Sequence, residues 1–365
     1  MSLGETDRIR LAAVGDLLLS CDPSGKYPPR NINHAMSKIK SIWSQCDIVL
    51  GNLECTLGGQ GELIASEPRV ISNEQMVKAI KPAGINIVTL ANNHMFDAKY
   101  GGFQQVKVLL EKMNVSFCGA GENLKRALSP AVLEIKGIRL AFIGAADRRC
   151  GAAHFAYDDN WGVAPLDIDL IKEHISQLRR EVDHVIVTVH WGEERFRIPS
   201  PIQVQQAHAL VDAGASMILG HHPHVLQGLE IYQESPIIYS MGNFIANDVY
   251  YVNGDILFWN RTERTGCILF AEIDSKKVHV LKQIPSYDSG EFIAIDNTNY
   301  GTKRISLVNH LVSKRITLTK YRLEYLRVKI VKPIFGYIRW SRLKTLRLRQ
   351  IKNALLGVIR TLKAK

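Results

Sequence analysis

The chain lacks any run of about 18 apolar residues, the length needed for a membrane-crossing helix, so no transmembrane helix is expected. It also lacks a Cys-x-x-Cys pair. Cys21, Cys46, Cys55, Cys118, Cys150 and Cys267 are scattered, several of them inside apparent strands. They read as reduced core thiols in a reducing compartment rather than a disulfide framework. The opening residues, Met1 to Asp7, are polar and acidic and have neither the basic nor the apolar region of a signal peptide. Cytoplasmic residence is the expectation. There is no internal repeat and no low-complexity segment. What remains is an ordinary globular composition, 46% hydrophobic and 22% charged over 365 residues, long enough to bury a large core in one or two domains.

Acidic residues are nearly missing from one end. Residues 303–365 hold 18 Lys and Arg against a single acid, Glu324, whereas the preceding 302 residues hold 28 basic and 34 acidic residues. The net charge of +11 therefore averages an acidic body and a strongly basic tail.

Along the body one pattern recurs: an apolar run, a polar cluster, then a helical period. Residues 9–15 form a strand that delivers Asp16, and 31–44 have helical apolar spacing. The run 46–50 ends in Gly51-Asn52-Leu53-Glu54, and 85–90 ends in Asn92-Asn93-His94-Met95-Phe96-Asp97. Residues 185–189 end in His190-Trp191-Gly192-Glu193-Glu194, and 215–219 in Gly220-His221-His222-Pro223-His224. Helices are expected over 73–81, 100–113, 166–181 and 204–212, and two last strands, 266–273 and 278–284, complete the body. This alternation is that of an α/β fold carrying its site at strand ends.

The histidine burst is the centre of that reading. Pro223 cannot continue a ladder, so the backbone must turn there and fan the imidazoles outward. Alone, Asp16 reads as a turn residue, Glu54 as a helix-start acid and His190 as a packed histidine. Together, two carboxylates, an amide oxygen and several imidazoles at strand ends make a site for transition metals. The mixed oxygen and nitrogen set suits Mn, Fe or Zn, and two metals bridged by one carboxylate use so many ligands economically.

The series Gly15-Asp16, Asn52-Leu53-Glu54, Asn92-Asn93-His94…Asp97, His190-Trp191-Gly192-Glu193-Glu194, Gly220-His221-His222-Pro223-His224 and Met241-Gly242-Asn243-Phe244 resembles the CapA family of capsule and poly-γ-glutamate synthesis, a branch of the calcineurin-like metallophosphatases. The resemblance covers roughly residues 8–285. It implies a four-layer fold, two mixed β-sheets packed together with helices on both outer faces, and a centre for two divalent transition metals at one edge. It places Asp16, Glu54, Asn93, His190, His222 and His224 as metal ligands, with Glu54 bridging and His94 as general acid. His222 and His224 are preferred over His221 because they alone form a His-x-His pair. Asp97 orients His94; Arg195, Arg197 and His221 are candidates for holding an anionic substrate group. The wider phosphatase pattern opens Asp-x-His, where this chain has Asp16-Leu17-Leu18, and has Asp where Glu54 stands.

Three segments are expected: the metallophosphatase-like domain at 8–285, a connection at 286–330, and a basic amphipathic helical tail at 331–365. The tail's helical spacing of apolar and cationic residues suits an anionic membrane surface or a membrane synthase complex. A helix packed on the body or on a partner is the alternative; nucleic acid is a weaker candidate, since no recognition fold accompanies the charge. Two functions follow. One is a metal-dependent phosphoester hydrolase of capsule, exopolysaccharide or poly-γ-glutamate synthesis at the inner membrane face. The other is a non-catalytic accessory protein that binds an anionic polymer.

Overall fold

A computed structural model describes residues 8–151 and 154–331. The expected tail, apart from its first residue, lies outside the described residues. Four strands of the two main sheets come first: β1 (Ile9–Leu18), β2 (Ile48–Leu53), β3 (Ile87–Thr89) and β4 (Ser116–Cys118). The next six are β5 (Ala131–Ile135), β6 (Ile138–Ala146), β7 (His184–His190), β8 (Met217–His221), β9 (Leu226–Tyr232) and β10 (Ser235–Met241). The chain then returns through β11 (Asn243–Ala246), β12 (Thr265–Ile273), β13 (Val278–Asp288) and β14 (Ile293–Ile295). One mixed sheet runs β14-β13-β12-β1-β2-β3-β4 with β11 added beside β1; the other runs β9-β10-β8-β7-β6-β5.

The strand period sorts the layers. Ile9, Leu11 and Ala13 of β1 point into a core shared with Leu140, Phe142, Ile186, Met217 and Leu219 of the second sheet. Ala12 and Val14 point the other way, into a core with Phe103, Val106 and Leu110 of helix α1 (Lys99–Lys112). On the far side, Ile143, Val185 and Val187 pack against Ile171 and Ile175 of α2 (Ile168–Leu178) and Leu210 of α3 (Pro201–Asp212). The result is helices, sheet, sheet, helices. Each fully buried aliphatic side chain contributes about 1.5–3 kcal/mol, so these three cores hold the layers together rather than the exposed ion pairs between them. α3 begins at Pro201, three residues before the expected start at 204, because Ser200 and Gln203 make a reciprocal capping box with Pro201 in the first turn.

Some expectations need correction. Residues 31–44 form two short turns, Ile32–Ala35 and Lys40–Trp43, not one helix. The histidine strand runs on through Gly220 and His221 before it turns. The boundary expected at 285 falls inside β13, and residues beyond it stay with the body: β14 extends the first sheet, and α4 (Asn299–Ser313) adds Ile305 and Val308 to the inter-sheet core. α5 (Leu318–Leu326) follows and ends in a π turn, Arg327–Val331. No helix among the described residues is long and apolar enough to cross a membrane.

Candidate metal centre

Parallel strands finish at a common edge, and here two such edges meet. Asp16 on β1 lies in register with Asn52 on β2 and with Asn243 on β11. On the second sheet, His190 at the end of β7 is in register with His221 at the end of β8. The approach at β1 is close: Asp16 donates its N–H to the Gly242 carbonyl at 3.0 Å, and a Cβ on Gly15 would sit 1.8 Å from the same oxygen. Only glycine fits there. His222 and His224 flank Pro223 with φ of 92° and 55°, a left-handed backbone that histidine adopts only under constraint, at roughly 1–3 kcal/mol per residue.

This turn sets the imidazoles around the two carboxylates. The ring centroids of His190 and His222 are 4.7 Å apart, and those of His222 and His224 are 5.9 Å apart. Asp16 Oδ1 accepts from Asn52 Nδ2 at 2.9 Å and lies 3.0 Å from His221 Nδ1; Asp16 Oδ2 is 3.4 Å from His224 Nδ1. Glu54 Oε1 lies 3.6 Å from His190 Nε2 and 3.8 Å from His224 Nε2. It has no hydrogen-bond partner, and neither does His222 Nδ1, although both atoms are buried. Among the described residues, two groups have ligand atoms within 4.8 Å of one another: Glu54, His190 and His222, and Asp16, Glu54 and His224. Both contain Glu54. Buried polar atoms without partners are costly, and carboxylate oxygens with imidazole nitrogens form a donor set for divalent transition metals, so the residues present fit such ions.

The electrostatics of the protein alone are strained. Burial and the adjacent Asp16 carboxylate push Glu54 well above its ordinary value. Burial also raises Asp16, but hydrogen bonds and charge from His221 and His224 outweigh it and hold that carboxyl well down. His222 is lowered to about 4 by burial and by His224, and His190 is lowered by burial and by His222. His224 is opposed by burial yet raised to about 10 by Glu54 and Asp16.

The Asn93–His94 pair completes the edge. Asn93 Oδ1 is 2.8 Å from His190 Nε2, and Asn93 Nδ2 is 3.2 Å from His94 Nε2. His94 Nδ1 lies 2.7 Å from Asp97 Oδ2, which also accepts the Val70 N–H at 2.7 Å and is thereby fixed. The anion-holding candidates are placed differently. His221 is buried against Asp16, and its Nε2 has no partner. Arg195 donates Nε to the buried Glu263 at 2.5 Å. Arg197 gives its guanidinium to Glu324, at 2.9 Å from Nη2, whereas Arg195 commits its Nε alone.

Sequence reasoning missed Asn52, Asn243, Glu194 and Trp259. Asn52 Nδ2 links Asp16 to Glu54 Oε2 at 3.3 Å; Asn243 Oδ1 accepts from His224 Nδ1 at 2.9 Å; Trp259 packs its ring 5.1 Å from that of His224. Burial raises the Glu194 carboxyl, but the charges of His224, His222 and Arg195 hold it below its ordinary value. Asn52, Glu194 and Asn243 all sit within the quoted motifs, which was the available signal. Trp259 had none.

A four-layer α/β body with two buried histidine–carboxylate groups sharing one glutamate defines an α/β protein with a candidate metal centre at its sheet edges. Residues 10–248 match the family model described as "Bacterial capsule synthesis protein PGA_cap", and the chain belongs to that family. It is 31% identical over 274 residues to "Capsule biosynthesis protein CapA" of Bacillus anthracis, across 73% of this chain and 64% of that protein. It is 30% identical over 242 residues to "PGA biosynthesis protein CapA" of Bacillus subtilis (strain 168), across 66% of this chain and 63% of that one. The matches therefore span slightly less than two thirds of those relatives. Among solved structures, a putative 5'-nucleotidase from Staphylococcus aureus aligns at 14% identity and a TM-score of 0.49, over 83% of this chain and 58% of that chain.

Proposed function

We propose that the chain is a dinuclear metal-dependent phosphoester hydrolase serving capsule, exopolysaccharide or poly-γ-glutamate synthesis. One observation carries this: Glu54, buried with an unpartnered oxygen, belongs to both ligand groups. In this reading Glu54 would be shared by both ions, His190, His222 and Asn93 would hold one of them, and Asp16 and His224 the other. Two divalent ions of the Mn, Fe or Zn class would supply Lewis acidity toward a phosphoryl oxygen and lower the pKa of water. The residues do the rest. Asp97 faces His94 Nδ1 and fixes the ring, which would hold His94 in place as the general acid for a leaving oxygen. Asn52 and Asn243 fix the rotamers of Asp16 and His224. The test is metal content per chain after reconstitution with manganese. Two ions in the wild type and fewer in His222→Ala are expected; no stoichiometric metal in the wild type would overturn the reading.

A second reading is a non-catalytic accessory role, in which the pocket binds an anionic polymer. It is favoured by Leu18 standing where the wider pattern has an imidazole. The name of one relative, "Probable polyglutamine synthesis accessory protein Rv0574c" of Mycobacterium tuberculosis, 28% identical over 217 residues, also favours it. For either reading, residues 331–365 would bring the body to an anionic membrane surface or a synthase complex on the cytoplasmic side. Flotation with anionic liposomes should require residues 330–365; equal flotation without them would refute that attachment.

A further inference from the structure

The turn after β7 is tied to the histidine turn, Arg195 donating its N–H to the Pro223 carbonyl between His222 and His224 at 2.8 Å, and the contacts that hold it come from the other end of the chain. Glu324 on α5 is 5% exposed and accepts from the Arg197 N–H at 2.7 Å, from Arg197 Nη2 at 2.9 Å and from Arg327 Nε at 2.6 Å. Arg327 Nη2 in turn donates to the Arg195 carbonyl at 3.4 Å. Between them the buried Phe196 ring packs on Tyr321 and Tyr325, at centroid distances of 5.3 and 6.1 Å. The Lys329–Glu193 pair at 3.3 Å is about 40% exposed on both sides and adds little. Arg195 within this turn has φ of 69°, a conformation that needs outside support.

A buried carboxylate between two arginines is a poor way to gain stability. Its desolvation cost rivals its Coulomb gain, and apolar replacements of such groups are often neutral. What it supplies is one fixed geometry for the backbone it grips.

We propose that Glu324 is a positioning residue for the centre: by gripping Arg197 and Arg327 it sets the 193–198 turn, whose Arg195 N–H holds the Pro223 carbonyl between His222 and His224. Glu324 touches no reacting atom. It acts through the turn, as an outer partner acts on a ligand sphere. The proposal rests on the dinuclear reading above for its metal half only.

The test uses the full chain as wild type, Glu324→Gln, Glu324→Ala and, as a control, Glu272→Gln, which loosens the Arg8 pair on β12. Hydrogen exchange is followed at residues 193–198, manganese binding by calorimetry, and folding by thermal melting. In Glu324→Gln, exchange at Arg197 should quicken about tenfold, since a charged acceptor is lost. Manganese affinity should fall by on the order of tenfold or more, as for outer partners of ligands. Melting should stay within a few degrees, and the control should change neither readout. Faster exchange with wild-type manganese affinity would make the contact merely structural; unchanged exchange would remove the clamp altogether. If Glu324→Ala fails to fold, the near-isosteric Gln variant still decides. No manganese bound by wild type would sink the dinuclear reading and with it the metal half of the proposal, leaving the exchange result to judge the clamp.

Discussion

Replacing Glu54 with Gln should stabilise the metal-free protein and abolish its stabilisation by metal, two effects of opposite sign from one atom. Burial and Asp16 hold the folded-state pKa of Glu54 above its ordinary value of 4.5, so ionising it costs folding free energy. The wild type keeps this contribution below about pH 4.5 and loses it as the pH rises through the folded value. Near neutral pH the metal-free wild type therefore carries the cost and Glu54→Gln does not. The variant removes a buried charge beside Asp16, and relief of such an uncompensated buried group is worth on the order of 1–3 kcal/mol. For a chain of this size that corresponds to a melting shift of a few degrees upward. Manganese at about 100 times its dissociation constant should add about 2.7 kcal/mol per site to the wild type. The variant loses the residue common to both groups and should gain nothing. Differential scanning calorimetry with chelator and then with manganese reads both arms: the order of the two melting temperatures should reverse. A variant that melts below wild type in chelator, or that gains as much from manganese, would refute Glu54 as the shared ligand.

His94→Gln should lower phosphoesterase kcat by about 10²–10⁴ while leaving the manganese count unchanged; Asp97→Asn should have a smaller effect of the same kind, and wild-type turnover in both would remove His94 as the acid. His222, held at about 4 against an ordinary 6.5, gives the metal-free fold stability that is whole above pH 6.5 and lost as the pH falls toward 4. The loss amounts to up to about 3 kcal/mol, and urea midpoints measured across that range should fall less steeply in His222→Gln. Gly15→Ala would drive a Cβ into the Gly242 carbonyl and should cost about 3 kcal/mol or more; an unchanged urea midpoint would mean that β1 does not approach that backbone as described.

The legible parts of the sequence were those where one local signal had one structural solution. Strands buried on both faces read as short apolar runs, and each run that ended in a polar cluster did place that cluster at the common edge. Residues 31–44 show the limit. Ile32, Ala35, Met36, Ile39 and Trp43 are all buried, as their spacing says, but two short turns bury them as well as one helix would. The pattern encoded burial, not continuity. β9 was missed because Gln227 and Gly228 interrupt its apolar residues, and the reason for Gly228 lies in α4: a Cβ there would meet the Val308 carbonyl at 2.3 Å. Glu324 looked like the lone acid of a basic tail. Its partner Arg197 is 127 positions away, and no local pattern reports such a distance.

The missing imidazole at position 18 makes the two ligand groups chemically unequal. Leu18 is buried in the outer core of the first sheet and pairs with Ala246 on β11, so this position serves packing. The group of Asp16, Glu54 and His224 is left with two carboxylates and one imidazole; that of Glu54, His190 and His222 has one carboxylate and two imidazoles. Imidazole favours zinc and iron, whereas carboxylate oxygen favours magnesium and manganese. Zinc should accordingly enter the His190–His222 position first, and a limiting titration should resolve two affinities. His190→Ala should remove the tighter zinc step and His224→Ala the weaker one, while the manganese steps should lie closer together than those of zinc. A single zinc affinity for both ions in the wild type, or loss of the weaker step in His190→Ala, would show that ligand chemistry does not distinguish the positions and that Leu18 costs the centre nothing.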